Sequence, residues 1–168
     1  MLPADPTDDH AWLPALGSCV LEPLPGGWLV RPTGDTEETT ATRVRLDLSS
    51  PRTARLHVTS ASGSWRHALS PRHAEVLLVL ALHPAGRSAA ELSGDLFGTL
   101  DRLVTVRAEM SRLRRHLGGV LLHRPYRFAD WVDVEIVPPA DPAQLLGCST
   151  APAIRRYRQG LVSSWDMP

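Results

Sequence analysis

Residues 69 to 84 read LSPRHAEVLLVLALHP, and from Val76 to Leu82 seven consecutive side chains are apolar. Ser70 supplies an N-cap oxygen and Pro71 suits the first helical position, so the stretch reads as a helix starting there. A helix apolar on nearly every side has no face to give to water. It must lie at the centre of a core, and whatever precedes and follows it must supply the cover. The run is too short to cross a bilayer or to act as a convincing signal sequence. A soluble, cytoplasmic protein is expected.

The covering elements are legible on both sides. Upstream, SCVLEP (18–23) and GWLVRP (27–32) flank a Pro-Gly-Gly turn, the pattern of a hairpin. RVRLDLS alternates with Val44, Leu46 and Leu48 on one face; ARLHVT puts Leu56 and Val58 inward, and SWRHAL (64–69) closes the series. Residues 18–69 are therefore expected to form one small antiparallel sheet behind a flexible leader, residues 1–17. Trp28 and Trp65 are read as sheet core or sheet–helix contacts.

Downstream, Ser88 and Glu91 have capping-box spacing ahead of a short helix, AAELSGDLF, that stops at Gly98. A longer helix follows over about 103–117, and VLLHRPYRFADWVDVEIV after it reads as a terminal hairpin whose later strand carries Val132, Val134 and Ile136. Residues 138–168 read as a proline-rich extension with one short helix near 152–159 and frayed final residues. The fold class is α+β.

The third helix concentrates charge. Residues 104–117, VTVRAEMSRLRRHL, hold four arginines and one acid, although the whole chain balances 18 basic against 18 acidic residues. At about 100° per residue, Val106, Met110, Leu113 and Leu117 share a stripe that packs inward. Arg107, Ser111, Arg112, Arg114 and Arg115 occupy the opposite arc. A solvating face normally interleaves acids at i,i+4 spacing, and this one has only Glu109, set to one side. Such a surface attracts phosphate, and two short helices before a longer basic one is the build of a helix-turn-helix reader. Because Arg112 and Arg114 point outward, replacing both with alanine is expected to remove binding while leaving thermal stability nearly unchanged.

LSPRHAEVLLVLALHPAGRSAAELSGDLFG, then TVRAEMSRLRRHLG, then RPYRF together resemble the winged-helix output domain of OmpR/PhoB-type transcriptional regulators over roughly residues 69–136. The whole chain is also more loosely similar to the C-terminal region of bacterial regulators that carry a GAF sensor domain. The resemblance implies a winged helix-turn-helix over 70–137, three helices and a C-terminal hairpin, and sequence-specific binding of duplex DNA to regulate transcription. It places the third helix in the major groove, with Ser111 and Arg112 nearer the bases and Arg115 nearer the backbone. Arg102, Arg107, Arg114, Arg124 and Arg127 complete the expected DNA contacts. HRPYRF lacks the glycine of the family's RGxGYRF-like turn, so a wing short of the minor groove is expected. Ser70 to Val137 carries nine arginines against eight acids, so non-specific affinity should be weak.

Other chemistries find little support. The seven histidines stand singly, there is no HExxH or glycine-rich phosphate loop, and Cys19 and Cys148 lack metal-ligand spacing. His67 and His73 are read as residues of a sheet–helix junction. Neither catalysis, cofactor nor metal is expected. The alternative is a winged-helix protein-interaction module without DNA binding, its partner docking on the hairpin around Trp131 or on the tail IRRYR (154–158). Self-association on paired half-sites also stays open.

Overall fold

A computed structural model describes residues 10–13, 17–24, 27–32, 42–50, 52–61 and 63–165, with side chains described within 42–163. Its elements are β1 (His10–Leu13), β2 (Gly17–Leu24), β3 (Gly27–Pro32), β4 (Thr42–Asp47), β5 (Ala54–Ser60), β6 (Gly63–Leu69), α1 (Pro71–Ala81), α2 (Ala89–Phe97), α3 (Leu103–Leu117), β7 (Leu121–His123), β8 (Tyr126–Phe128), β9 (Val132–Val137) and α4 (Pro152–Trp165). The class is α+β. Among the described residues no helix is long and apolar enough to cross a membrane.

The strands before α1 form two sheets rather than one. β1, β2 and β3 pair antiparallel in that order. β1 lies within the stretch expected to be a leader; residues 1–9 and 14–16 fall outside the described residues, as do the side chains of Cys19 and Trp28. The second sheet runs β6-β5-β4-β9 and is mixed, because β9 joins β4 in parallel with Val44 opposite Val134 and Leu46 opposite Ile136. The terminal hairpin expected from the sequence is consequently only β7 and β8, and β9 leaves it for the sheet. Both β4 and β9 alternate apolar with charged residues, so one register buries Val44 and Leu46 and also sets Arg43 against Asp133 and Arg45 against Glu135 on the outer face.

α1 begins where the sequence sets it: Ser70 Oγ accepts from the His73 amide at 3.2 Å. From Ala74 to Leu80 every residue is buried, Glu75 included. The inner sheet face, α2, α4 and β8 surround it. α2 opens with the complete capping box: Ser88 N donates to Glu91 Oε2 at 2.7 Å and Glu91 N to Ser88 Oγ at 3.2 Å. These bonds hold the Glu91 carboxyl below its ordinary range. Gly98 ends α2 at φ +72°, a left-handed conformation that favours glycine.

α4 is longer than the short helix expected, and it belongs to the core. Its Ile154 is fully buried, and Ala151 and Ala153 are buried beside it. Arg158 anchors the preceding turn by donating to the carbonyls of Leu145 at 3.0 Å and Leu146 at 2.9 Å. Trp65, read as sheet core or a sheet–helix contact, stands at the edge strand β6 and is 38% exposed. Ile154→Ala is expected to cost about 2–5 kcal/mol in urea unfolding. A loss below about 0.5 kcal/mol, the surface norm, would mean that the tail is an appendage.

Candidate functional site

α3 carries its charge where its periodicity dictates. Val106, Met110, Leu113 and Leu117 are buried, and Arg107, Ser111, Arg112, Arg114 and Arg115 are exposed. Ser93 fixes the start of the helix: its Oγ donates to Thr99 O at 2.6 Å and accepts from Arg102 N at 3.0 Å. Arg102 is the residue before the first turn, its side chain exposed and its Nε 3.8 Å from Asp101.

The β7–β8 hairpin is brought beside α3 by the α1–α2 connection. Arg87 and Tyr126 exchange backbone hydrogen bonds at 2.8 and 2.9 Å. Gly86, at φ +93°, passes so close beneath the hairpin turn that a Cβ there would lie 2.6 Å from Pro125 Cγ. The guanidinium of Arg87 also reaches 3.2 Å from the buried Asp95, which accepts from Arg156 of α4 at 3.3 Å. His83 completes this network: its Nδ1 donates to Val79 O at 2.7 Å, which leaves Nε2 to accept from Arg87 at 2.6 Å.

The result is a concave surface between α3 and the hairpin turn. One part, of about 350 Å³, is lined by Arg107, Met110, Ser111, Arg114, Arg115, His123 and Tyr126. A neighbouring part, of about 640 Å³, shares Arg107, His123 and Tyr126 and adds Arg87, Ser88, Ala89, Arg124 and Pro125. Five arginines and no carboxylate stand among these described lining residues. The side chains of Arg107, Arg115 and Arg124 make no hydrogen bond or ion pair with any described residue. Arg87 is paired with Glu91 and Asp95, while the charge of Arg107, Arg115 and Arg124 is left on the concave face, where it attracts anions.

Three of the expected contact residues are engaged elsewhere. Arg112 donates to Glu109 at 2.7 Å. Arg127, on the opposite side of β8 from the groove-lining Tyr126, forks onto Asp130; the pairing raises the Arg127 guanidinium's pKa and holds the Asp130 carboxyl below its ordinary range. Arg114 lines the concavity, yet its Nε donates to Leu121 O at 3.2 Å and ties the end of α3 to β7. The expectation that Arg112 and Arg114 are equally dispensable for stability is therefore corrected for Arg114. His123 and Tyr126 were not among the expected contacts; the PYRF segment was the only sequence signal that pointed near them.

His67, His73 and His116 gather at the flank of α3 nearest the sheet. The His67 and His116 rings stack with centroids 4.7 Å apart, and His73 Nε2 lies 3.1 Å from Glu109 Oε2. Because a carboxylate only accepts, that nitrogen carries the proton. Burial depresses the His73 pKa and outweighs the opposing pull of Glu109, with small further depression from His116 and His67. Among the described residues no group of three or more histidine, cysteine, aspartate or glutamate side chains could hold a metal ion.

No family model matches the chain, and no solved structure matches it. It is 51% identical over 71 residues to an uncharacterized 47.3 kDa protein in the thcA 5′ region of Rhodococcus erythropolis, an alignment covering 41% of this chain. The chain spans about 16% of that relative's length.

Arg112→Ala is expected to shift the unfolding free energy by less than about 0.5 kcal/mol. Arg114→Ala, which frees the Leu121 carbonyl, should cost about 1–2 kcal/mol, and thermal melts of the two variants provide the comparison. A second expectation concerns pH. Since the folded-state pKa of His73 lies below the ordinary value of 6.5, the unfolded chain binds that proton first as pH falls. The contribution is intact above about pH 6.5 and is lost progressively below it. Urea midpoints at about pH 7.5 and about pH 5.5 should differ more for the wild type than for His73→Asn; equal differences would remove His73 from the account.

Proposed function

We propose that this chain is a winged-helix DNA-binding unit that regulates transcription, with α3 entering the major groove of duplex DNA and the β7–β8 turn resting on the adjacent backbone. The observation that carries the reading is the uncompensated cationic concavity of Arg107, Arg115 and Arg124 between α3 and the hairpin. A B-form major groove about 12 Å wide admits one helix, and α3 offers it a face whose buried stripe is fully used elsewhere. Arg107 and Ser111, on the flank toward the hairpin, are assigned to the groove edge. Arg115 and Arg124 are assigned to phosphates, which fix register. The two-residue turn Arg124-Pro125 is too short to follow the minor groove, so its contribution is to the backbone. Arg112 reaches a base only by leaving Glu109, and Arg127 makes no contact while Asp130 holds it.

The setting implied is a bacterial cytoplasm, with pairing of two copies on repeated half-sites as the expected assembly. A second reading, a protein-interaction module, draws on the apolar surface that the fold leaves open: Val104 at the start of α3 is 78% exposed and Trp131 after the hairpin 51%. Selection from a random duplex pool, followed by titration of the enriched sequence at several salt concentrations, separates the two. The DNA reading expects an enriched motif, with Arg107→Ala and Arg115→Ala each weakening binding and Arg115→Ala reducing the salt slope by about one. Arg127→Ala should change affinity less than about twofold, because Asp130 already balances its charge. No enrichment, or an equal loss in Arg127→Ala and Arg107→Ala, would overturn this reading in favour of the interaction module.

A further inference from the structure

Val104 stands in the first turn of α3 and is 78% exposed, more than any other large apolar side chain among the described residues. Neither packing nor local structure accounts for a valine there. The core takes its share of the helix from Val106, Met110, Leu113 and Leu117. A β-branched residue forms helix less readily than alanine, so an exposed valine lends the first turn no intrinsic stability.

Its direction matters more than its exposure. At about 100° per residue, Val104, Ala108, Ser111 and Arg115 fall within about 60° of one another, opposite the buried stripe. They form the ridge of the outward face, about 16 Å long at 1.5 Å of rise per residue and so the height of about five base-pair steps. The exposed Arg107 and Arg112 flank this ridge, and Arg115 ends it. Its leading end is therefore apolar while its sides and far end are cationic. The guanidinium groups call for an anionic partner, and the valine calls for an apolar group on that same partner. A helix in the major groove turns its N-terminal residues toward base edges. The floor of that groove carries hydrogen-bond donors and acceptors and one kind of methyl group, on C5 of thymine. A side chain that makes no hydrogen bond is matched there only by the methyl.

We propose that Val104 is a specificity-determining residue that packs on the C5-methyl group of a thymine in the major groove. The assignment rests on the DNA-binding reading above. Its test takes the duplex enriched from the random pool and replaces each thymine in turn with deoxyuridine, which removes the methyl group and leaves the hydrogen-bonding edge intact. At one or more thymines the wild type should lose about fourfold in affinity, the worth of one methyl-sized apolar group taken from water. Val104→Ala should bind the thymine duplex more weakly than the wild type and should no longer distinguish thymine from deoxyuridine at that position. Its thermal melt should match that of the wild type, as an exposed substitution allows. Failure takes two distinguishable forms. If no duplex is enriched, the DNA reading falls and the assignment with it. If an enriched duplex tolerates every deoxyuridine, or if Val104→Ala stays as sensitive to the methyl as the wild type, the DNA reading stands and the assignment is overturned.

Discussion

The structure depends on one demand: α1 must be dry on every side. An isolated helix with no polar face is not a stable object in water, and burial of each leucine or valine contributes about 1.5–3 kcal/mol only when something covers it. The inner face of the β6-β5-β4-β9 sheet covers one side; α2, α4 and β8 cover the others. The elements that present the cationic surface are therefore also the walls of the core. The inward residues of α3 and of β8 belong to the same buried cluster as those of α1, which fixes where the two elements sit.

Charge is distributed to match. The buried Asp95 draws Arg87 and Arg156 to one point, so that the α1–α2 connection, α2 and α4 meet through one carboxylate, with the Arg156 side chain still largely in water. Arg43 and Arg45 are met by Asp133 and Glu135 across the β4–β9 ladder, and Arg127 by Asp130. What remains after these pairings is not spread evenly. Arg52, Arg55, Arg66 and Arg155 stand apart on the sheet side and α4, whereas Arg107, Arg115 and Arg124 collect along one concavity, which gives a chain with 18 bases and 18 acids a locally positive face. Net charge alone describes neither the pairs nor the remainder.

The helices α2 and α3 and the strands β2 to β6 were legible in the sequence to within a residue or two. Ser70 with Pro71, Ser88 with Glu91, and Gly98 are signals read within one turn of chain, and they mark the start of α1 and both ends of α2. The inward stripe of α3 followed from its 3.6-residue period in the same way. Less legible was anything requiring two distant segments. Val132, Val134 and Ile136 do form a strand, but its period fits a hairpin or a sheet equally well, and only the match with Val44 and Leu46 selects the sheet. α4 was underestimated for the same reason: Ile154 reads as one apolar residue in an arginine-rich tail until α1 and α2 are there to receive it.

The candidate site divides along the same line. The sequence by itself determined which residues of α3 face outward, because helix geometry fixes side-chain direction from spacing alone. It also determined that α1 would be central, because burial is the only condition under which so apolar a helix is stable. The tertiary structure decided which outward arginines stay free. Arg112 and Arg127 are claimed by acids three residues away, at a spacing that permits pairing without requiring it, and Arg114 by a carbonyl on β7. Arg107 and Arg124, which stand 17 positions apart in the chain, become neighbours across one concavity only because Gly86 lets the hairpin close over the connection. Side-chain direction is a property of local backbone geometry, whereas partnership is a property of distance in space, and distance in space exists only after the core has closed.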